Sequence, residues 1–229
     1  MGEKVFMTVR DNLISIEKDI KRACEKVNRS TEDITLIGVT KYVTIDRAKE
    51  LLDTNVKNLG ENRAEELAAK YEEIGQEANW HFIGTLQSRK VKDVIDKVTA
   101  IHSLDRLSVA KQIDKRSEKT MDCFIQVNVS GEEAKHGLEP EEVMDFVKEL
   151  AQFEKVRVVG LMTMAPHIED KVEIRGVFRK LREIRDDIAS YEFSHAPCPY
   201  LSMGMSNDYD IAIEEGATHI RIGSKLVGS

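Results

Sequence analysis

Eight short β-rich runs recur along this chain, separated by longer segments whose apolar residues return every three or four positions. The runs are ITLIGVT (34–40), VKNLG (56–60), WHFIG (80–84), TAIHSL (99–104), DCFIQVNV (122–129), VRVVGLM (156–162), YLSMG (200–204) and THIRIG (218–223). Strands that alternate with helices pair in parallel, because the crossovers between them are the helices. ITLIGV and VRVVGLM are apolar on both faces, as strands covered on both sides must be. An open doubly wound sheet would show the same alternation. The count of eight, and a length of 229 residues, instead predict an α/β fold with a single (β/α)8 TIM barrel over about 34–226, in one domain spanning 1–229.

An extra helix is expected ahead of the barrel, over 8–28, where Val9, Leu13, Ile16, Ile20, Ala23 and Val27 form one apolar face. Further stripes are Ala64, Leu67, Ala68, Tyr71 and Ile74, closed by Gly75 as a cap, and Ile174, Val177, Phe178, Leu181, Ile184 and Ile188. Pro140 marks a helix start before Val143, Val147 and Leu150. In HSLDR, Ser103 or Asp105 is expected to cap the helix that follows. The net charge of −7 is spread along the chain, as on a solvated helical exterior. It argues against a nucleic-acid or bilayer binder, since both favour a basic face. The first residues are polar without a signal core, and no apolar run approaches the ~20 residues of a membrane span. A soluble, cytoplasmic protein is expected. Cys24, Cys123 and Cys198 are too far apart for a CxxC pair, and Cys24 and Cys123 fall at packing positions. The six histidines have no ligand spacing, so no metal is expected.

In a β/α barrel the chemistry gathers at the C-terminal ends of the strands. Lys41 ends the first run, Glu61 and Asn62 follow the second, and Gly84 with LQSRK the third. Asn128 and Ser130 close the fifth, Met162 to Met164 the sixth, Ser202 to Ser206 the seventh, and Gly223 with Ser224 the eighth. In THIRIG, Arg221 and Gly223 project to the same side, and bare backbone N–H groups beyond them suit an anion such as phosphate. A lysine buried at Lys41 would lose its charge more readily, as a Schiff-base nucleophile requires. A phosphate cradle and such a lysine together suggest a phosphorylated aldehyde. His81 reads as structural rather than as a base, and Arg89 and Lys90 as either anion contacts or surface charges.

GVTK, LGENR, WHFIGTLQSRK, HSLDR, QVNVS, GLMTM, LSMGMSND and ATHIRIGSKLVG occur in order over nearly the whole chain. In these motifs the sequence resembles the pyridoxal-phosphate homeostasis proteins, also called proline-synthetase co-transcribed or YggS-like proteins. The resemblance implies a barrel like the N-terminal domain of alanine racemase, the fold type III arrangement of pyridoxal-phosphate proteins. It implies pyridoxal 5'-phosphate held as a Schiff base on Lys41, with Arg221 facing the pyridine nitrogen. Ser206, Gly223 and Ser224, with Ser202, would hold the phosphate, and Asn62 would line the pocket. Ser224 stands where many members have threonine and keeps the hydroxyl. Val43 stands where some members carry a second lysine, which puts lysine-to-lysine transfer at that spot in doubt.

The resemblance implies a binder that takes part in vitamin B6 and amino-acid homeostasis without turnover. Its partners would be the small molecule and, as recipients, pyridoxal-phosphate-dependent apo-enzymes. An arginine beside the ring nitrogen weakens the cofactor as an electron sink, and no extra β-domain of the racemase kind is expected. A monomer is expected for the same reason. The competing readings are an amino-acid racemase using Tyr42, His81 or Tyr209 as a second base, and a phosphosugar-binding Schiff-base barrel.

Overall fold

The computed structural model describes residues 8–132 and 136–228. Eight parallel strands close on themselves in chain order: β1 Thr35–Val39, β2 Asn58–Glu61, β3 Asn79–Phe82, β4 Ala100–Leu104, β5 Met121–Gln126, β6 Val156–Met162, β7 Tyr200–Ser202 and β8 His219–Ile222. The seam is the β1–β8 ladder, in which Ile37 pairs with Arg221 and Gly38 with Ile222. All eight expected strands are present, but most are shorter than their runs. Among the residues trimmed at C-terminal ends, Ile83, Gly84 and Gly223 border the cavity.

The helices are α1 Val9–Lys26, α2 Ile45–Asp53, α3 Ala64–Ile74, α4 Val91–Val94, α5 Leu107–Arg116, α6 Val143–Leu150, α7 Lys171–Ser190, α8 Tyr209–Glu214 and α9 Ser224–Val227. The opening helix starts where Thr8 and Asp11 form a reciprocal capping box. Gly75 closes α3 at φ +61°, a conformation that favours glycine. The expected cap in HSLDR is not formed. β4 runs through Ser103, which is buried within the strand, and α5 begins after Arg106 without a side-chain cap. Asp105 pairs instead with Arg106 at 2.7 Å.

One large apolar core lies between the barrel and its helices. Cys24, Cys123 and Cys198 are all buried and free, and burial pushes the Cys198 thiol up to about 12, so all three serve packing. The barrel's own interior differs from the usual layers of branched aliphatic residues. It holds a small apolar cluster of Ala100, Phe124, Val159 and Met162, and beside it buried His81, His102, Ser202 and Arg221. Among the described residues no helix is long and apolar enough to cross a membrane.

Candidate functional site

A cavity of about 430 Å³ opens at the C-terminal ends of the strands. Lys41, Asn62, Ser206, Arg221, Gly223 and Ser224 all line it, although they come from four different βα loops and strand ends. Their convergence follows from barrel closure, which brings the ends of β1, β2, β7 and β8 round one mouth.

Lys41 stands directly after β1 and is exposed, so the buried lysine expected there is not found. The buried lysine of this region is Lys70 on α3, which donates to the Thr40 carbonyl and to Glu61 Oε1, both at 2.6 Å. Thr40 Oγ1 donates to the same Glu61 oxygen at 2.6 Å. These bonds tie the ends of β1 and β2 together immediately before Lys41 and Asn62. Burial raises the Glu61 carboxyl above its usual range, against the pull of Lys70 and Thr40. Lys70 was not singled out in the sequence; the signal for it is its spacing, three residues after Leu67 and four before Ile74 on the apolar stripe of α3.

Tyr42 holds the backbone at φ +64° just after Lys41, a conformation rare for a bulky residue. Its exposed ring receives the Lys41 ammonium at 5.7 Å and the Arg63 guanidinium at 5.6 Å from the ring centre. Across the cavity, the Ser206 and Ser224 hydroxyls meet at 3.3 Å. The backbone N–H groups of Ser206, Gly223 and Ser224 donate to no acceptor among the described residues. The loop that carries Ser206 is bent by Asp208, whose Oδ1 accepts from the Met205 N–H at 2.6 Å. Burial raises the Asp208 carboxyl, while Arg221 draws it back.

Arg221 forms part of the cavity wall from inside the barrel, donating to Ser202 Oγ at 2.6 Å and to the Thr163 carbonyl at 3.0 Å. Burial lowers its pKa to about 10, which leaves it charged at neutral pH. Ser202 itself does not line the cavity. It is fully buried, level with His219 in the β7–β8 ladder, and so lies one inward layer below Arg221. Its placement with the phosphate-holding residues is therefore corrected: Ser202 accepts from Arg221 beneath the cavity, and Ser206 and Ser224 are the serines that line it.

Of the lining residues, His136, His167 and Asp208 were not singled out in the sequence. Asn62 Oδ1 is buried without a partner among the described residues, and Gly84 presses on Asn62, where a Cβ would come within 2.1 Å of its carbonyl oxygen. His136, His167 and Asp208 add titratable groups to the lining, and Met162, Met164 and Met205 add soft apolar surface. His81 is buried in the barrel away from the cavity, while Arg89 and Lys90 bond to Gln87 and Glu65 on the exterior. Isolated histidines after loops carry no spacing signal, which is why the sequence did not reveal them.

A family model described as alanine racemase, N-terminal domain, matches residues 14–229. A pyridoxal phosphate homeostasis protein from Aquifex aeolicus is 42% identical over 226 residues, covering 97% of this chain and 98% of the relative. Among solved structures, a Bifidobacterium adolescentis protein superposes with a TM-score of 0.91 at 30% identity, covering 95% of this chain and 94% of that one. PipY of Synechococcus elongatus, solved with pyridoxal phosphate bound, superposes with a TM-score of 0.83 at 26% identity, covering 96% and 100%. The chain belongs to the pyridoxal phosphate homeostasis proteins, built on the barrel of the alanine racemase N-terminal domain.

Proposed function

We propose that this protein holds pyridoxal 5'-phosphate as a Schiff base on Lys41 and takes part in intracellular vitamin B6 and amino-acid homeostasis without turnover. The observation that carries the reading is one cavity with an exposed lysine on one wall and unpaired backbone donors on another. The Ser206, Gly223 and Ser224 N–H groups, with the two serine hydroxyls, suit a phosphate dianion. Arg221, held by neutral acceptors, faces the ring nitrogen with its charge intact. Asn62 offers its unpaired oxygen to a ligand donor. Ser202 acts indirectly, by fixing Arg221.

Bound pyridoxal phosphate supplies an electron sink whose strength grows when its ring nitrogen is protonated. Arg221, charged and without an acceptor, denies that nitrogen a proton. The Tyr42, His81 and Tyr209 side chains, the bases a racemase reading would draw on, do not line the cavity. Tyr209 donates to Asp19 at 2.9 Å, and His81 is committed within the barrel. The pocket is therefore better suited to holding the cofactor than to working it. Cytoplasmic pyridoxal-phosphate-dependent apo-enzymes are the fitting recipients, and a single chain acting as a monomer is sufficient for the site.

Borohydride reduction of the purified protein with pyridoxal phosphate, followed by peptide mass spectrometry, tests the reading. A phosphopyridoxyl adduct on Lys41 is expected. No adduct, or adducts scattered over surface lysines, would overturn it in favour of the phosphosugar barrel.

A further inference from the structure

Below the cavity, a line of buried polar side chains runs through the barrel interior. Arg221 Nη1 lies 2.6 Å from Ser202 Oγ, which lies 2.8 Å from His102 Nδ1. His102 Nε2 is 2.9 Å from His81 Nδ1, and His81 Nε2 is 3.1 Å from Asn58 Oδ1. β4 and β7 are not neighbours in the barrel, so the Ser202–His102 bond crosses its interior. The His102 ring stacks on Phe124 with centroids 4.2 Å apart and planes 16° apart, which fixes its plane. Asn58 and His81 border a second opening at the strands' N-terminal ends, so the line spans the barrel.

The protons along this line can be assigned from its two ends. Arginine only donates, so Ser202 Oγ accepts from it. The Ser202 hydroxyl proton then goes to His102 Nδ1. A neutral His102 therefore carries its proton on Nε2 and donates to His81 Nδ1, and His81 donates from Nε2 to Asn58 Oδ1. The reverse order would make both histidines donate upward and leave the buried Ser202 hydroxyl proton without an acceptor, a costly arrangement. Burial and neighbouring positive charge hold His102 well below its ordinary pKa, and burial lowers His81 to about 3, so neutral rings agree with this order.

We propose that Ser202, His102 and His81 are positioning residues for Arg221, forming a one-way relay that pins the guanidinium beneath the cavity through neutral acceptors. The role of that guanidinium at the ring nitrogen rests on the cofactor reading above. A carboxylate at the Ser202 position would pin Arg221 equally well but would cancel much of its charge. A polarised chain of neutral groups strengthens the acceptor without adding a negative charge. Arg221 thus meets the cavity in one orientation, hydrogen-bonded to a hydroxyl and a carbonyl rather than to a carboxylate. Aliphatic side chains would fill the same space without this effect, which accounts for polar groups in an interior that barrels usually pack with valine, isoleucine and leucine.

The test has two arms. In the cofactor-free protein, long-range ¹H–¹⁵N spectra of the histidine rings should show His81 and His102 as neutral Nε2–H tautomers from about pH 5 to 8. An Nδ1–H tautomer or a protonated His102 in that range would overturn the relay, whatever the cofactor reading. In the second arm, His102→Phe and His102→Gln are titrated with pyridoxal phosphate. His102→Phe should weaken binding about tenfold and shift the bound chromophore's absorption, whereas His102→Gln, which keeps an acceptor for Ser202, should recover most of both. Wild-type behaviour in His102→Phe, or equal loss in the two variants, would overturn the relay while leaving the cofactor reading standing. Failure of the wild-type protein to take the cofactor would overturn that reading while the tautomers still decide the relay.

Discussion

At the residue scale, the cavity depends on what particular side chains leave free. Gly223 has φ −109°, which any residue adopts, so its value lies in the bare backbone it presents. A Cβ there would sit 3.4 Å from Val39 Cβ, and a branched side chain would have to turn toward the cavity. Gly223→Val should therefore weaken pyridoxal phosphate at least about tenfold, the worth of one charge-assisted hydrogen bond to the phosphate, by absorbance titration. Unchanged affinity would remove Gly223 from the phosphate site. Arg221 gives a second test. On the proposed placement of its charge beside the ring nitrogen, solvent deuterium should enter amino acids at Cα no faster than with free cofactor. Incorporation well above that background would restore the racemase reading. That Arg221, Gly223 and Ser224 reach the cavity was legible in the sequence because they lie within four residues of one strand end, where period and spacing carry the information. The exposure of Lys41 was not, because the strand pattern predicts the backbone beneath it and not how the following turn at Tyr42 directs it.

At the scale of elements, the site rests on α3 clamping β1 to β2. The Lys70–Glu61 pair is buried on both sides, with side-chain exposures of 5% and 0%. Removing one partner leaves a buried charge uncompensated, whereas removing both leaves none. Lys70→Met should cost about 3 kcal/mol or more in urea denaturation, and adding Glu61→Gln should recover much of that loss. Equal stability of the single and double variants would show that the pair does not hold the strand ends. The alternation of strands and helices, and the stripe of α3, were readable from periodicity. The misassigned cap after β4 shows the limit of that reading. Ser103 and Asp105 are good capping residues by type, but the ladder extends through Leu104, and helix α5 starts later.

For the whole molecule, the polar interior makes stability depend on pH. His81 and His219 have pKa values lowered by burial to about 3 and about 4, and burial likewise holds His102 well below its ordinary value. Unfolded histidines bind protons below about 6.5. Between that value and their folded pKa values the unfolded chain binds more protons, so stability rises with pH across this window and is lost as pH falls through it. Buried Glu61 and Asp208, with raised pKa values, act in the opposite sense, so the comparison must be between variants. His81→Gln should flatten the dependence of urea stability on pH between about 6.5 and 4, by up to roughly 1.4 kcal/mol per pH unit. An unchanged slope would mean that His81 is protonated in the folded barrel.

The sequence by itself determined the barrel, because strand count, alternation and two-sided apolarity are local patterns that admit few closed arrangements. It also determined the polar strand ends from which the cavity is built, since each lies beside its own strand in the chain. Tertiary structure alone decided what meets inside. Ser202 and His102 are 100 residues apart and bond across the interior, and Lys70 and Glu61 join α3 to β2. Such pairs depend on inward layer and register around the closed sheet, and neither residue carries a mark of its partner in its own surroundings.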